Sequence, residues 1–226
     1  MQKFYLEYTN IISTLQIKVL SVNEKDYIQD LKEIKDLMDR SSKFRSLNGL
    51  SGVLAGIFSL VGAYLGYQWV FSQLPPLSYL PIELTATQTQ TIWIIALGII
   101  GLTLAGLVFF SSKEAKKRKQ KLWNSQSKRV LIHMGIPLIA GGLLSAILLR
   151  EGFLGMLPSL TLLFFGVGLV NASHFTFQEI RLMGLAEIGL GLAAMWFVEW
   201  GLYFWAVGFG LLNIASGIFF QIRYNS

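Results

Sequence analysis

The sequence predicts an all-α, polytopic membrane protein with about six transmembrane helices in three hairpins, preceded by cytoplasmic amphipathic helices. Of its 226 residues, 53% are hydrophobic and only 14% are charged, whereas charged residues make up about a quarter of a typical soluble domain. Apolar stretches close to the length that crosses a bilayer, about 20 residues, recur along the chain. All of the 19 Lys and Arg residues except Arg150 fall at the same end of these stretches. Such an asymmetry predicts that the basic end faces the cytoplasm.

Residues 1–47 are expected to form a cytoplasmic helical region. Apolar residues recur at helical spacing from Phe4 to Val19 and from Ile28 to Met38, which predicts two amphipathic helices. The second segment also carries charges of both signs, as is typical of a helix that packs one apolar stripe against a partner. We therefore expect this region to bind a cytoplasmic protein, a second copy of the chain or its own bundle. The sequence lacks the continuous apolar core of a cleavable signal peptide, so we expect the N-terminus to stay attached.

Residues 48–226 form the predicted transmembrane bundle. Its six spans are expected at about residues 50–71, 92–110, 130–149, 153–171, 177–198 and 202–221. Between the second and third spans, the segment Lys113–Arg129 holds eight basic residues and one acidic residue, which favours contact with anionic lipid headgroups. Tryptophan prefers the membrane boundary, and five of the six tryptophans fall near the end opposite this segment, namely Trp69, Trp93, Trp196, Trp200 and Trp205.

Several classes of enzyme are excluded by the composition. The chain has no cysteine, which removes disulfides, thiolate nucleophiles and cysteine-ligated metals. It also lacks a His-Glu-x-x-His motif, a glycine-rich phosphate loop and a Gly-x-Ser-x-Gly motif, and its two histidines stand in separate segments. We therefore expect no catalytic residue, no metal and no cofactor. The net charge of +6 is interpreted as serving lipid contact, and no direct binding of nucleic acid is expected.

A stripe of small residues marks one face of the first span. Spacings of three and four place its members on the same side of a helix: Gly49, Gly52, Gly56, Ser59, Ala63 and Gly66. Small residues let two helix backbones approach closely, and this close packing drives helix association in lipid. The stripe therefore predicts a helix-packing face. Its partner is either a helix of the same chain or a second copy in a homo-oligomer.

A polar pocket is predicted around Glu187, which lies inside the fifth span on a stripe of small residues. A carboxylate at such a position costs about 3 kcal/mol and tends to pair or to mark a pathway. The polar residues expected at the same depth are His133, Asn171, His174 and Asn213. Pro137 supports this pocket, because a proline frees the backbone carbonyl four residues earlier. The pocket is either a ligand or proton site or a hydrogen-bond network that fixes helix packing.

Two local patterns concern helix ends. Thr176 and Glu179 have the spacing of a capping box, in which each side chain binds a backbone N–H group at a helix start. Pro158 lies early in the fourth span. It predicts a kinked helix or, alternatively, a helix that begins there and leaves residues 153–157 as a non-helical cap.

Three segments, IPLIAGG at Ile136–Gly142, the stretch Leu169–Leu192 and FWAVGFGLLNIASG at Phe204–Gly217, resemble a family of uncharacterised bacterial multi-pass inner-membrane proteins. The first span resembles the same family. The resemblance implies the bacterial cytoplasmic (inner) membrane, with both termini in the cytoplasm. Such proteins tend to be encoded beside small winged-helix regulators, which implies a non-enzymatic anchoring, sensing or regulatory role with a cytoplasmic partner. The alternative is a small oligomeric transporter or channel with a polar site around Glu187.

Overall fold

The computed structural model describes residues 49–117 and 125–225, together with Gln29, Leu31 and Ile34. The chain divides into two units, Met1–Lys43 and Phe44–Ser226. In the first unit, the three described residues are helical and exposed. The remainder of the predicted amphipathic helices and the centre of the Lys113–Arg129 segment lie outside the described residues.

The second unit is a bundle of helices, and all of its described secondary structure is helical. The helices are α1 (Gly49–Trp69), α2 (Ala86–Lys117), α3 (Ser125–Arg150), α4 (Leu157–Ala172), α5 (Gln178–Trp196), α6 (Gly201–Trp205) and α7 (Asn213–Asn225). The π-helical segment Ala206–Leu212 joins α6 to α7, so these three elements form one continuous run. Short 3₁₀ turns precede α4, α5 and α6.

Several of these helices have the length and apolar character of membrane spans. Within the described ranges there are five, namely Gly49–Gln73, Ala86–Lys113, Ser127–Arg150, Leu154–Phe175 and Val198–Arg223. The prediction of an all-helical chain with several membrane-length helices is thereby confirmed. Helix α5, which corresponds to the predicted fifth span, is not among them. Its 19 residues include three charged side chains, Glu179, Arg181 and Glu187.

Small residues bring α4 and α5 into close contact. A methyl group added at Gly166 would lie 2.6 Å from the carbonyl oxygen of Gly184, and one added at Gly184 would lie 2.7 Å from that of Gly166. One end of the same interface is joined by a buried hydrogen bond, in which the Ser159 hydroxyl donates to the carbonyl oxygen of Gly191 at 2.7 Å. Close backbone packing with an interhelical hydrogen bond is typical of helices associated in lipid. It fixes α5, and with it Glu187, against α4.

Helix α4 has Pro158 in its first turn and is not kinked there. Helix α4 starts at Leu157 and Pro158 lies in its first turn, where a missing N–H group breaks no helical hydrogen bond. The favoured interpretation of a kink is therefore wrong. The preceding residues form the 3₁₀ turn Leu154–Met156, and the side chain of Leu154 is fully buried.

The capping box predicted at Thr176 does not form. Phe177 is the N-cap of helix α5, which has no side-chain cap, and the Thr176 hydroxyl donates to the carbonyl oxygen of Ala172 at 3.1 Å. Glu179 lies 3.5 Å from the guanidinium of Arg223 on α7. The prediction that Thr176 and Glu179 cap the start of α5 is therefore wrong.

A capping box is present at the start of α2. The Thr85 N–H group donates to Oε1 of Gln88 at 3.0 Å, and the Gln88 N–H group donates to Oγ1 of Thr85 at 3.2 Å. The helix accordingly begins at Ala86, six residues before the predicted start at residue 92. The signal, a threonine three residues before a glutamine, was present in the sequence.

Candidate functional site

The candidate site is built around Glu187, which lies in the middle of α5. Its side chain is fully buried, with a relative exposure of 0%. Neither carboxylate oxygen has a hydrogen-bond partner among the described residues. Buried polar groups are nearly always hydrogen-bonded, so two unsatisfied oxygens on one carboxyl group call for a partner such as a proton, an ion, a water molecule or a ligand.

The carboxyl group of Glu187 faces the π-helical segment. A methyl group added at Gly208 would lie 2.5 Å from Oε2 of Glu187 and 2.5 Å from Cδ2 of Leu162. Gly208 itself is buried. Glycine therefore leaves the space that the carboxyl group occupies, and Leu162 on α4 supplies an apolar wall.

Asn213 lies at the junction of the π-helical segment and α7. Its side-chain amide donates to the carbonyl oxygen of Phe209 at 3.1 Å and to that of Gly208 at 3.5 Å. Single π-helical turns inside α-helices are frequent at functional sites. Glu187 and Asn213, both predicted for the pocket, are thus brought to the same turn of backbone. Both side chains lie next to Gly208. They are not hydrogen-bonded to each other, because Glu187 accepts no hydrogen bond from the Asn213 amide.

The other residues predicted for the pocket lie elsewhere. His133 is exposed and its ring packs on that of Phe175, with 4.8 Å between centroids. His174 is exposed in the 3₁₀ turn before α5, and Asn171 is half-buried near the end of α4. None of the three supplies a hydrogen bond to Glu187. Among the described residues, no group of three or more His, Asp or Glu side chains is arranged to hold a metal ion.

The predicted helix-packing face of α1 is divided between two environments. Gly49, Gly52 and Gly56 lie against the backbone of the last helical run of the same chain, at Gly217, Asn213 and Gly210. The Ser59 hydroxyl donates to the carbonyl oxygen of Ala55 within α1 at 2.9 Å. Ala63 and Gly66 line an apolar cavity of about 280 Å³.

A second cavity lies where the loop between α1 and α2 crosses the turn after α3. The Ile82 N–H group donates to the carbonyl oxygen of Gly152 at 2.9 Å, and the Tyr79 hydroxyl donates to the carbonyl oxygen of Met195. The cavity has a volume of about 750 Å³ and is lined by Arg150, Glu83 and Glu151 together with apolar side chains. Neither this cavity nor the apolar one is lined by Glu187.

The π-helical segment and both cavities were missed by the sequence analysis. A cue to the first was the spacing of Gly208 and Gly210 within an otherwise bulky stretch, because glycine inside a helix often marks close approach of another group. The larger cavity depends on a loop that folds over a turn about 70 residues later in the chain, between Ile82 and Gly152. No local sequence pattern predicts the contact between Ile82 and Gly152.

Comparison with protein-family models, with curated protein sequences and with solved structures found no match to this chain. The resemblance to bacterial multi-pass membrane proteins stays a prediction.

Proposed function

We propose that this chain is a non-enzymatic membrane protein that binds a proton or a small cation at Glu187 and uses this site for sensing. The observation that carries the proposal is the complete burial of a carboxyl group whose two oxygens lack partners. An ionised carboxyl group in that position is costly, and a bound proton or cation removes the uncompensated charge.

The groups around Glu187 support a site for a hard cation or a proton. The carboxyl oxygens face a segment whose carbonyl groups are displaced from regular α-helical geometry, and oxygen atoms are the ligands that hard cations prefer. The Asn213 amide holds two carbonyl oxygens of the π turn. A change at Glu187 would therefore act directly on the last helical run. This coupling favours a sensing role.

Transport is the second candidate function, because the π-helical segment interrupts a membrane-length helix next to a buried acidic residue. Interrupted helices near the middle of the bilayer often form the substrate sites of transporters.

The proposed topology has six spans in three hairpins, with both termini on the cytoplasmic side of the bacterial inner membrane. Helix α5 is counted as a span because it packs along α4 from Gly184 to Gly191. Its 19 residues reach about 28 Å at 1.5 Å per residue, close to the thickness of about 30 Å of the hydrocarbon core. In the N-terminal unit, Leu31 and Ile34 are 65% and 53% exposed, which supports docking to a cytoplasmic partner.

The Glu187 proposal is tested by thermal unfolding of the purified protein in detergent. The melting temperature is measured against pH at low salt, and against Na⁺ or K⁺ at fixed pH, for the wild type, Glu187→Gln and Glu187→Leu. We expect the wild type to respond to one of the two titrations. Glu187→Gln should fold normally and lose that response, since it keeps the size and polarity of the side chain but not its charge. The titration that produces the response identifies the ligand as a proton or a cation.

The control is Glu199→Gln, which changes an exposed carboxyl group in the turn before α6 and should keep the wild-type response. A response of equal size in Glu187→Gln and in the wild type would refute the site. Flux of the same ion in reconstituted vesicles, lost in Glu187→Gln, would favour transport over sensing.

The topology is tested by labelling single cysteines, because the natural chain contains none. Leu80→Cys lies in the loop between α1 and α2, where the side chain is 71% exposed, and Lys128→Cys lies at an exposed position near the start of α3. In intact cells, a thiol reagent that cannot cross the membrane should label the first variant and spare the second. The reverse pattern would mean that the proposed orientation is wrong.

A further inference from the structure

The two cavities adjoin each other and have opposite character. The larger, of about 750 Å³, holds the charged side chains, whereas the smaller, of about 280 Å³, is lined mainly by apolar residues of α1, α2, α3, α4 and α6. Both are lined by Trp93, Ala146 and Leu149. A molecule that occupies both cavities therefore passes between α2 and α3 at the level of these three residues.

The larger cavity offers charges of both signs. Arg150, Glu83 and Glu151 line it, and among the described residues these three form no ion pair with one another. The volume lies in the range of about 300–1,000 Å³ found for small-molecule sites. An occupant with one anionic group and one ammonium group would match this arrangement, with its anion toward the guanidinium.

We propose that the joined cavities bind a zwitterionic membrane amphiphile, of the chemical class of an acyl phospholipid with a primary ammonium headgroup. The headgroup occupies the larger cavity, with its phosphate at Arg150 and its ammonium group at Glu83 and Glu151. The acyl chain enters the apolar cavity. Trp93 marks the level of the membrane boundary, where indole rings are enriched.

The proposal is tested with oleoyl lysophosphatidylethanolamine as the probe, titrated onto the detergent-solubilised protein and followed by native mass spectrometry. Arg150→Gln should weaken binding about tenfold, since it removes a charge-assisted contact. The matched control is Arg129→Gln, an exposed arginine at the start of α3, which should bind as the wild type does. Because Arg150 is exposed, we expect Arg150→Gln to fold as the wild type does.

A second pair of variants tests the site of the acyl chain. Ala146→Leu fills the junction of the two cavities and should abolish binding, whereas Ala140→Leu, at an exposed position of the same helix, should not.

Equal binding of the probe to the wild type, Arg150→Gln and Ala146→Leu would overturn the proposal. So would equal affinity for glycerophosphoethanolamine, which has the headgroup but no chain, because the site would then be one for a free zwitterion. Binding of oleate as tightly as the probe would likewise overturn it, since the charged cavity would contribute nothing.

Discussion

Replacement of Gly56 by alanine tests whether the small-residue stripe of α1 packs within a single chain. The added Cβ would lie 2.6 Å from the carbonyl oxygen of Gly210 and 3.0 Å from the backbone nitrogen of Ile214. An ordinary contact of a Cβ atom begins at 3.4 Å, so the two helices must separate by about 0.8 Å, the difference between 3.4 and 2.6 Å. Both obstacles are backbone atoms, which cannot rotate away as a side chain would.

The expected cost is that of overpacking, about 1–3 kcal/mol. An opposing gain of up to about 1 kcal/mol arises because alanine favours the helix more than glycine does. Gly101→Ala on α2 isolates this gain, since nothing lies within 4 Å of the Cβ added there. The difference in the free energy of unfolding between the two variants should therefore be about 1–3 kcal/mol, with Gly56→Ala the less stable.

The assay is thermal unfolding in detergent, in which about 2–4 °C of melting temperature corresponds to 1 kcal/mol for a chain of this size. We expect Gly56→Ala to melt several degrees below Gly101→Ala, by an amount that does not depend on protein concentration. Equal melting temperatures would refute the close contact between α1 and the last helical run. A difference that disappears on dilution would mean that the contact lies between two copies of the chain.

Two other substitutions test the remaining close contacts. Gly152 has a φ of +83°, and an added Cβ would lie 2.5 Å from the carbonyl oxygen of Ile82. Gly152→Ala should therefore lower the free energy of unfolding, measured by thermal unfolding, by at least about 1–2 kcal/mol. Gly142→Ala, with open space around it, is the control, and equal stability of the two variants would contradict the description of the turn. Ser159→Ala removes the buried hydrogen bond to Gly191 and should lower the free energy of unfolding by about 0.6–1.7 kcal/mol. An unchanged free energy of unfolding in chemical denaturation would show that this bond contributes nothing to the α4–α5 interface.

Helix starts show how far a local motif can be trusted. Both Thr85 and Thr176 stand three residues before a Gln or Glu, yet only the first pair forms reciprocal capping hydrogen bonds. The Thr176 hydroxyl donates to the carbonyl of Ala172, and Glu179 reaches Arg223. The second contact spans 44 residues of sequence, so the motif alone does not decide which partner the side chain takes.

The candidate site was predicted only in part, because it too depends on contacts between residues that are distant in the sequence. Glu187 stood out because a carboxyl group inside an apolar helix is costly wherever it points. Its burial against Gly208 depends on how α5 packs on the last helical run, and this packing also leaves its oxygens without described partners. His133 and His174, chosen for similar depth in the membrane, lie instead on exposed positions.

The sequence by itself determined the all-helical class, the membrane-length helices and the stripe of small residues on the first of them. These features follow from hydrophobicity and spacing, which depend on the solvent that each helix face meets and on neighbours a few residues away. The tertiary structure alone decided the start of α4 at Leu157, the π-helical segment beside Glu187 and the two joined cavities. Each of these arises where backbones distant in sequence approach within contact distance, as at Gly152 and Ile82. Periodicity within one helix carries no information about such approaches.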